Sequence, residues 1–123
     1  TSHPPHGLVV DARGGFIGID LAPPPLEPAE RDRLGELVEA AGRALAAIGY
    51  AGPYALDAFV YRDGAARRFH PICEINARYT FGFIARALGE RFGARRLGFG
   101  PVPAGATVLV APAPGDPATA WIG

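Results

Sequence analysis

A turn signal, Asp63-Gly64, constrains this 123-residue chain more than any other feature of its sequence. It separates two segments, 54–62 and 67–76, that are rich in aromatic and β-branched residues. Asp-Gly between two such segments is typical of an antiparallel hairpin. If the loop has an even number of residues, Arg62 faces Arg67 and the register of the whole hairpin follows. An odd loop would move every side chain of one strand to the opposite face.

The even register brings three oxygen-bearing side chains to one face of the hairpin. Asp57 then lies opposite Ile72, on the same face as Glu74 and Asn76, because strand side chains alternate between faces. The backbones of Asp57 and its diagonal neighbour Glu74 are then about 7–8 Å apart. Two carboxylates and an amide oxygen repel one another unless a cation lies between them, and hard oxygen ligands favour Mg²⁺ or Mn²⁺. We therefore predict a metal site formed by Asp57, Glu74 and Asn76.

Arg78 follows Asn76 by two residues and joins the same face if the extended backbone continues that far. Its planar guanidinium can bind a phosphate through two parallel hydrogen bonds. A metal ion beside an arginine is a recurrent way to neutralise charge during phosphoryl transfer. The alternatives are an exposed polar sheet edge for the three predicted metal ligands and a surface arginine for Arg78.

The remaining chain predicts an α+β fold: a mainly antiparallel sheet with two helices on one face, forming a single domain over residues 1–123. Strands are expected over 8–12 and 15–20, and a further short strand over 107–111, inside a Pro/Gly-rich tail at 101–123. A helix that begins near Pro28 and ends at Gly49 has apolar residues at helical spacing, namely Leu34, Leu37, Val38, Ala41, Leu45 and Ile48. A second predicted helix has the apolar face Phe81, Ile84, Leu88 and Phe92.

Charge and composition narrow the classes of partner and compartment. Twelve basic residues balance twelve acidic ones, so we expect no nucleic-acid or anionic membrane partner. Cys73 is the only cysteine, so the chain has no internal disulfide. We find no secretory signal and no apolar stretch that approaches the roughly 20 residues of a membrane span. We therefore expect a cytoplasmic location. All twelve basic residues are Arg, and the chain has no Met, which favours a piece of a larger protein.

The motif Glu74-Ile75-Asn76-Ala77-Arg78, with the upstream Gly52-Pro53 and the strand 56–59, resembles the closing part of an ATP-grasp domain over residues 7 to about 100. In that superfamily, an acidic residue on one strand and a Glu-x-Asn pair on the next hold the magnesium ions of ATP. The resemblance implies that Asp57, Glu74 and Asn76 are ligands of Mg²⁺ (or Mn²⁺). It also implies that Glu74, Asn76 and Arg78 contact ATP as co-substrate, with Arg78 as the catalytic residue.

The activity implied by the resemblance is that of an ATP-dependent carboxylate–amine (or carboxylate–thiol) ligase, which acts through an acyl phosphate. Its substrates would be a small carboxylate and an amine. The family takes lysines, an adenine-binding hinge and a glycine-rich loop from the preceding sequence, and this chain contains no Lys. We therefore expect a C-terminal portion that needs the N-terminal half of the domain and is inactive alone. The alternatives are a non-catalytic α+β interaction module, which includes a homodimer formed through a bare sheet edge, and a standalone metal-binding protein.

Overall fold

The structure, a computed structural model, describes residues 2–115 and 118–123. Its helices and strands form an α+β fold with antiparallel pairing throughout, as the sequence predicts. In chain order they are β1 (Gly7–Val10), β2 (Phe16–Asp20), α1 (Pro28–Ala47), β3 (Ala55–Asp63), β4 (Ala66–Asn76), α2 (Phe81–Phe92), β5 (Arg96–Phe99), β6 (Thr107–Val110) and β7 (Ala120–Ile122).

The described strands form two sheets, whereas one sheet carrying both helices was expected. One compact unit, residues 25–80, contains α1 and the two-stranded sheet β3-β4. The other unit, residues 3–24 with 81–123, contains α2 and a five-stranded sheet in the order β1-β2-β5-β7-β6. Two strands, β5 and β7, were not predicted, because segments of four and three residues are too short to show a period. The Pro/Gly-rich tail therefore contains two strands, β6 and β7, instead of one.

In the first unit, α1 is tied to the hairpin by side-chain contacts at its amino end. The Glu27 backbone N–H donates to Glu30 Oε2 at 2.9 Å, which satisfies one of the free donors of the first turn. Arg67 of β4 donates to the same carboxylate oxygen at 2.6 Å and to the Pro25 carbonyl oxygen at 2.8 Å. The Arg67 guanidinium, as a hydrogen-bond partner, holds the pKa of Glu30 below its usual value. Gly49, with φ of 84°, ends the helix as predicted.

The predicted apolar face of α1 is largely confirmed. Five of its residues are half-buried, namely Leu34, Leu37, Val38, Ala41 and Leu45. The Tyr54 hydroxyl of the hairpin donates to the Val38 carbonyl oxygen at 2.8 Å and attaches the helix to the sheet near its middle. Ile48 is 80% exposed, because it lies after the last helical residue.

The predicted apolar face of α2 is mostly wrong. Phe81, Ile84 and Phe92 are exposed, whereas the buried residues of this helix are Gly82 and Ala85. Ala85 forms the core of the second unit with Ile19, Leu97 and Ile122, and Leu88 packs against that core. The buried residues of α2 are therefore small: Ala85 joins the core, and a Cβ atom at Gly82 would overlap the His6 ring. Among the described helices, none is long and apolar enough to cross a membrane.

A close approach between two strands explains the glycine at position 98. Gly98 of β5 pairs with Trp121 of β7, and a Cβ atom at position 98 would overlap the indole ring. Trp121 is 8% exposed, so the ring has little room to move. The absence of a side chain at Gly98 is therefore a packing requirement of the second unit.

Replacing this glycine should reveal that requirement. We expect Gly98→Ala to lower the free energy of unfolding by about 1–3 kcal/mol, the usual cost of overpacking. The matched control is Gly35→Ala in α1, where an added Cβ meets no atom within 4 Å. That change should raise the free energy of unfolding by about 0.5–1 kcal/mol, because alanine favours the helix. Urea denaturation measures both, and equal effects of the two substitutions would contradict the packing argument.

Candidate functional site

The hairpin that carries the predicted site has the predicted register near its turn and a different one near its open end. Arg62 faces Arg67, as the even loop requires. An irregularity between Asp57 and Phe59 then shifts the pairing by two residues. Asp57 therefore faces Glu74 directly, and the predicted pairing of Asp57 with Ile72 is wrong.

The shift occurs at Pro71, in the middle of β4. Proline has no backbone N–H to donate and is therefore found at bulges or on edge strands. Three residues of β4, 71–73, here correspond to the single residue Ala58 of β3. Because a shift of two residues preserves the alternation of side chains, Asp57 stays on the predicted face. Cys73 lies in this irregular stretch and is exposed.

Asn76 joins two of the predicted site residues through its side-chain amide. It is 7% exposed and pairs with Ala55 across the hairpin. Its Nδ2 donates to Asp57 Oδ2 at 3.2 Å, and its Oδ1 accepts a hydrogen bond from Arg78 Nη2 at 2.8 Å. The backbone N–H of Arg78 also donates to the Asn76 carbonyl oxygen at 2.9 Å, so the chain turns here instead of continuing extended. This turn brings the guanidinium back to the site.

Glu74 completes the group of four. Its carboxylate is exposed and, within the parts of the chain that the structure describes, forms no salt bridge. The described residues contain no group of three or more His, Cys, Asp and Glu side chains suited to a metal, so the available ligands here are two carboxylates and one amide. This set suits Mg²⁺, which typically binds one or two protein carboxylates and completes its shell with water and phosphate oxygens.

The same face of the hairpin continues into an aromatic surface that the sequence argument missed. Phe59 stacks on His70 with 5.0 Å between ring centroids, and the Phe59 and Tyr61 rings are 5.8 Å apart. Phe59 and Tyr61 are 47% and 46% exposed. Their spacings of two and four residues from Asp57 were the signal that could have identified them, since even spacings place them on the Asp57 face.

No protein-family model, curated protein or solved structure matches this chain. The geometry of the hairpin is therefore the basis on which a function for these four residues is proposed. Asp57 and Glu74 face each other across two strands, and Asn76 connects Asp57 to Arg78.

The buried amide predicts a specific pattern of stability. Asn76→Ala should lower the free energy of unfolding by about 1–3 kcal/mol, because the hydrogen bonds to Asp57 and Arg78 are both lost. Glu74→Ala, the matched control on the same face, should change it by less than about 0.5 kcal/mol, since that side chain is exposed. Urea denaturation gives both values. A loss for Glu74→Ala as large as that for Asn76→Ala would contradict the pairing described here.

Proposed function

We propose that this chain carries the magnesium and phosphate end of the ATP site in an ATP-dependent carboxylate–amine or carboxylate–thiol ligase of the ATP-grasp type. The observation that carries the proposal is the direct pairing of Asp57 with Glu74, beside an Asn76 that connects Asp57 to Arg78. Carboxylates held in facing positions favour a cation between them, and a neighbouring guanidinium favours an anion.

Each residue has a distinct role in this proposal. Asp57, Glu74 and Asn76 would hold Mg²⁺, or Mn²⁺, through side-chain oxygens, and the ion when bound would neutralise charge on the ATP phosphates. Arg78 would donate its N–H groups to the transferred phosphoryl group, where negative charge must be stabilised. Its hydrogen bonds to Asn76 Oδ1 and, at 3.4 Å, to the Tyr79 carbonyl oxygen hold the guanidinium beside the predicted metal ligands.

In such a ligase a substrate carboxylate attacks the terminal phosphate of ATP, and ADP leaves. The amine or thiol then attacks the acyl phosphate and releases inorganic phosphate. This chain has no Lys to contact the phosphates from the other side, so a preceding N-terminal half of the domain would supply those contacts. The chain alone is therefore expected to bind the nucleotide weakly and to be inactive. The whole protein would be cytoplasmic, and its substrates would be a small carboxylate and an amine.

The sequence provides an unusually direct probe of this site. Asn76 is the only Asn and the chain has no Gln, so a ¹⁵N spectrum contains a single side-chain amide pair. We expect substoichiometric Mn²⁺ with ATP to broaden the Asn76 amide resonances through paramagnetic relaxation, and excess Mg²⁺ to restore them. Glu74→Ala should raise the Mn²⁺ concentration needed for this broadening by about tenfold or more. Loss of a residue that only hydrogen-bonds to a metal ligand already lowers metal affinity by about that factor, and loss of a ligand should lower it at least as much.

The control for this titration is Glu39→Ala, which removes an exposed carboxylate on α1. Its Mn²⁺ dependence should match that of the unmodified chain, and backbone resonances confirm that each variant is folded. If Mn²⁺ leaves the Asn76 amide unbroadened, or broadens it equally in Glu74→Ala, the metal site is refuted. Turnover by the full ligase then tests Arg78→Ala, which should lower kcat about 100-fold or more.

A second candidate function, an interaction module, is favoured by the edge strand β6. It is the last strand of the five-stranded sheet, and its apolar residues Val108, Leu109 and Val110 are 46%, 42% and 54% exposed. An apolar edge with unpaired backbone groups is a template for pairing with another strand. In this candidate, β6 pairs with β6 of a second copy and forms a homodimer.

Introducing a charge on the edge strand by substitution distinguishes the homodimer from a monomeric ligase domain. Light scattering after size exclusion should give the mass of a dimer for the unmodified chain and of a monomer for Leu109→Lys, since lysine on an edge opposes strand pairing. Ile48→Lys, at an 80% exposed position outside the five-stranded sheet, should leave the dimer intact. A monomeric mass for the unmodified chain would exclude the homodimer.

A further inference from the structure

The second unit contains an open cavity of about 530 Å³ whose lining combines arginines with an apolar surface. Arg95, the residue before β5, and Arg96, its first residue, line the cavity together with the loop 103–106. Trp121 of β7 forms part of the wall. This volume falls within the range of small-molecule sites. All these residues belong to one unit, so the cavity does not depend on the proposed function of the hairpin.

The charges at this cavity are not balanced. Arg96 Nη2 donates to Asp20 Oδ2 at 2.6 Å, and the Ala22 backbone N–H donates to Asp20 Oδ1 at 2.9 Å. These donors, the Arg96 guanidinium first, hold the pKa of Asp20 below its usual value, so this carboxylate is ionised and already engaged. Arg95 forms no salt bridge with any residue that the structure describes. Arg95 also lowers the pKa of Asp20 electrostatically, so two guanidinium groups share one side-chain carboxylate.

The wall beside these arginines is apolar. Pro103, Ala104 and Ala106 line the cavity together with Trp121, which is 8% exposed. The indole Nε1 atom is itself buried, so the ring offers the cavity an apolar surface. Guanidinium groups are donors only, so the arginines offer hydrogen bonds to an acceptor while the Asp20 carboxylate is already engaged.

We propose that this cavity binds a small organic carboxylate with an apolar body. The carboxylate accepts hydrogen bonds from the Arg95 guanidinium, and the body lies against the indole and the loop 103–106. A bare inorganic anion fits less well, because it leaves the apolar wall uncovered and fills little of the volume. A neutral apolar molecule leaves Arg95 without a partner.

A single resonance again locates the ligand, because Trp121 is the only tryptophan and gives one indole N–H signal. The probe is sodium benzoate, with benzyl alcohol as its neutral counterpart and inorganic phosphate as an anion without an apolar body. Benzoate should move the indole resonance saturably, because its ring packs beside Trp121, and the two other compounds should bind at least about tenfold more weakly.

Two variants test the placement and one controls for charge. Arg95→Gln should raise the Kd for benzoate about tenfold, because a charge-assisted hydrogen bond is lost. Ala104→Leu keeps every charge but fills part of the cavity, and it should also weaken binding. Arg43→Gln removes an exposed arginine of α1, 73% exposed, and should leave the Kd unchanged. Backbone resonances establish that each variant is folded.

The proposal is overturned if benzoate gives no saturable shift or leaves the indole resonance in place. It is also overturned if Arg95→Gln or Ala104→Leu, shown to be folded, binds benzoate as the unmodified chain does. Phosphate binding more tightly than benzoate would exclude an organic carboxylate as the ligand class. None of these results depends on the metal site, so each can be separated from the Mn²⁺ titration at Asn76.

Discussion

The even shift in the pairing of the hairpin is the constraint on which the candidate site depends. A strand that continued regularly from the Arg62–Arg67 pair would place Asp57 opposite Ile72, with Glu74 only diagonal to it. At Pro71 the regular pairing ends, and β4 contributes three residues where β3 contributes one. The resulting shift is even, so the carboxylates keep one face and become direct neighbours. A shift of one residue would have moved them to opposite faces.

Burial of Asn76 then determines how this group of charges is organised. An amide can donate and accept at once, so Asn76 satisfies a carboxylate with its nitrogen and a guanidinium with its oxygen. Asp57 and Arg78 are thereby held near each other without a direct ion pair between them being required. The proposed cation at the amide oxygen would compete with Arg78 for that atom, and metal binding would then be coupled to the freedom of the guanidinium to contact phosphate.

Local signals predicted the parts of the fold that depend on neighbouring residues in sequence. The Asp63-Gly64 turn predicted the register beside it, and the 3.6-residue period predicted the packed face of α1. Features of the fold that depend on residues distant in sequence were not predicted. Gly82 and Ala85 are the buried residues of α2, and Gly82 packs against His6, which is distant in sequence, whereas three of the four large residues at helical spacing are exposed. Pro71 was visible in the sequence, but the size of the shift beside it depends on both strands.

The balanced net charge of the chain hides two local imbalances of opposite sign. Asp57 and Glu74 outnumber Arg78 at the open end of the hairpin, so the group has a net charge of about −1 at neutral pH. At the cavity of the second unit, Arg95 and Arg96 share the single side-chain carboxylate of Asp20. At the hairpin, Asn76 bridges Asp57 and Arg78, and Glu74 has no salt bridge among the described residues. At the cavity, Arg96 pairs with Asp20, and Arg95 has no salt bridge among the described residues. The charge left over sets the ligand that each surface can stabilise: a cation at the hairpin and an anion at the cavity.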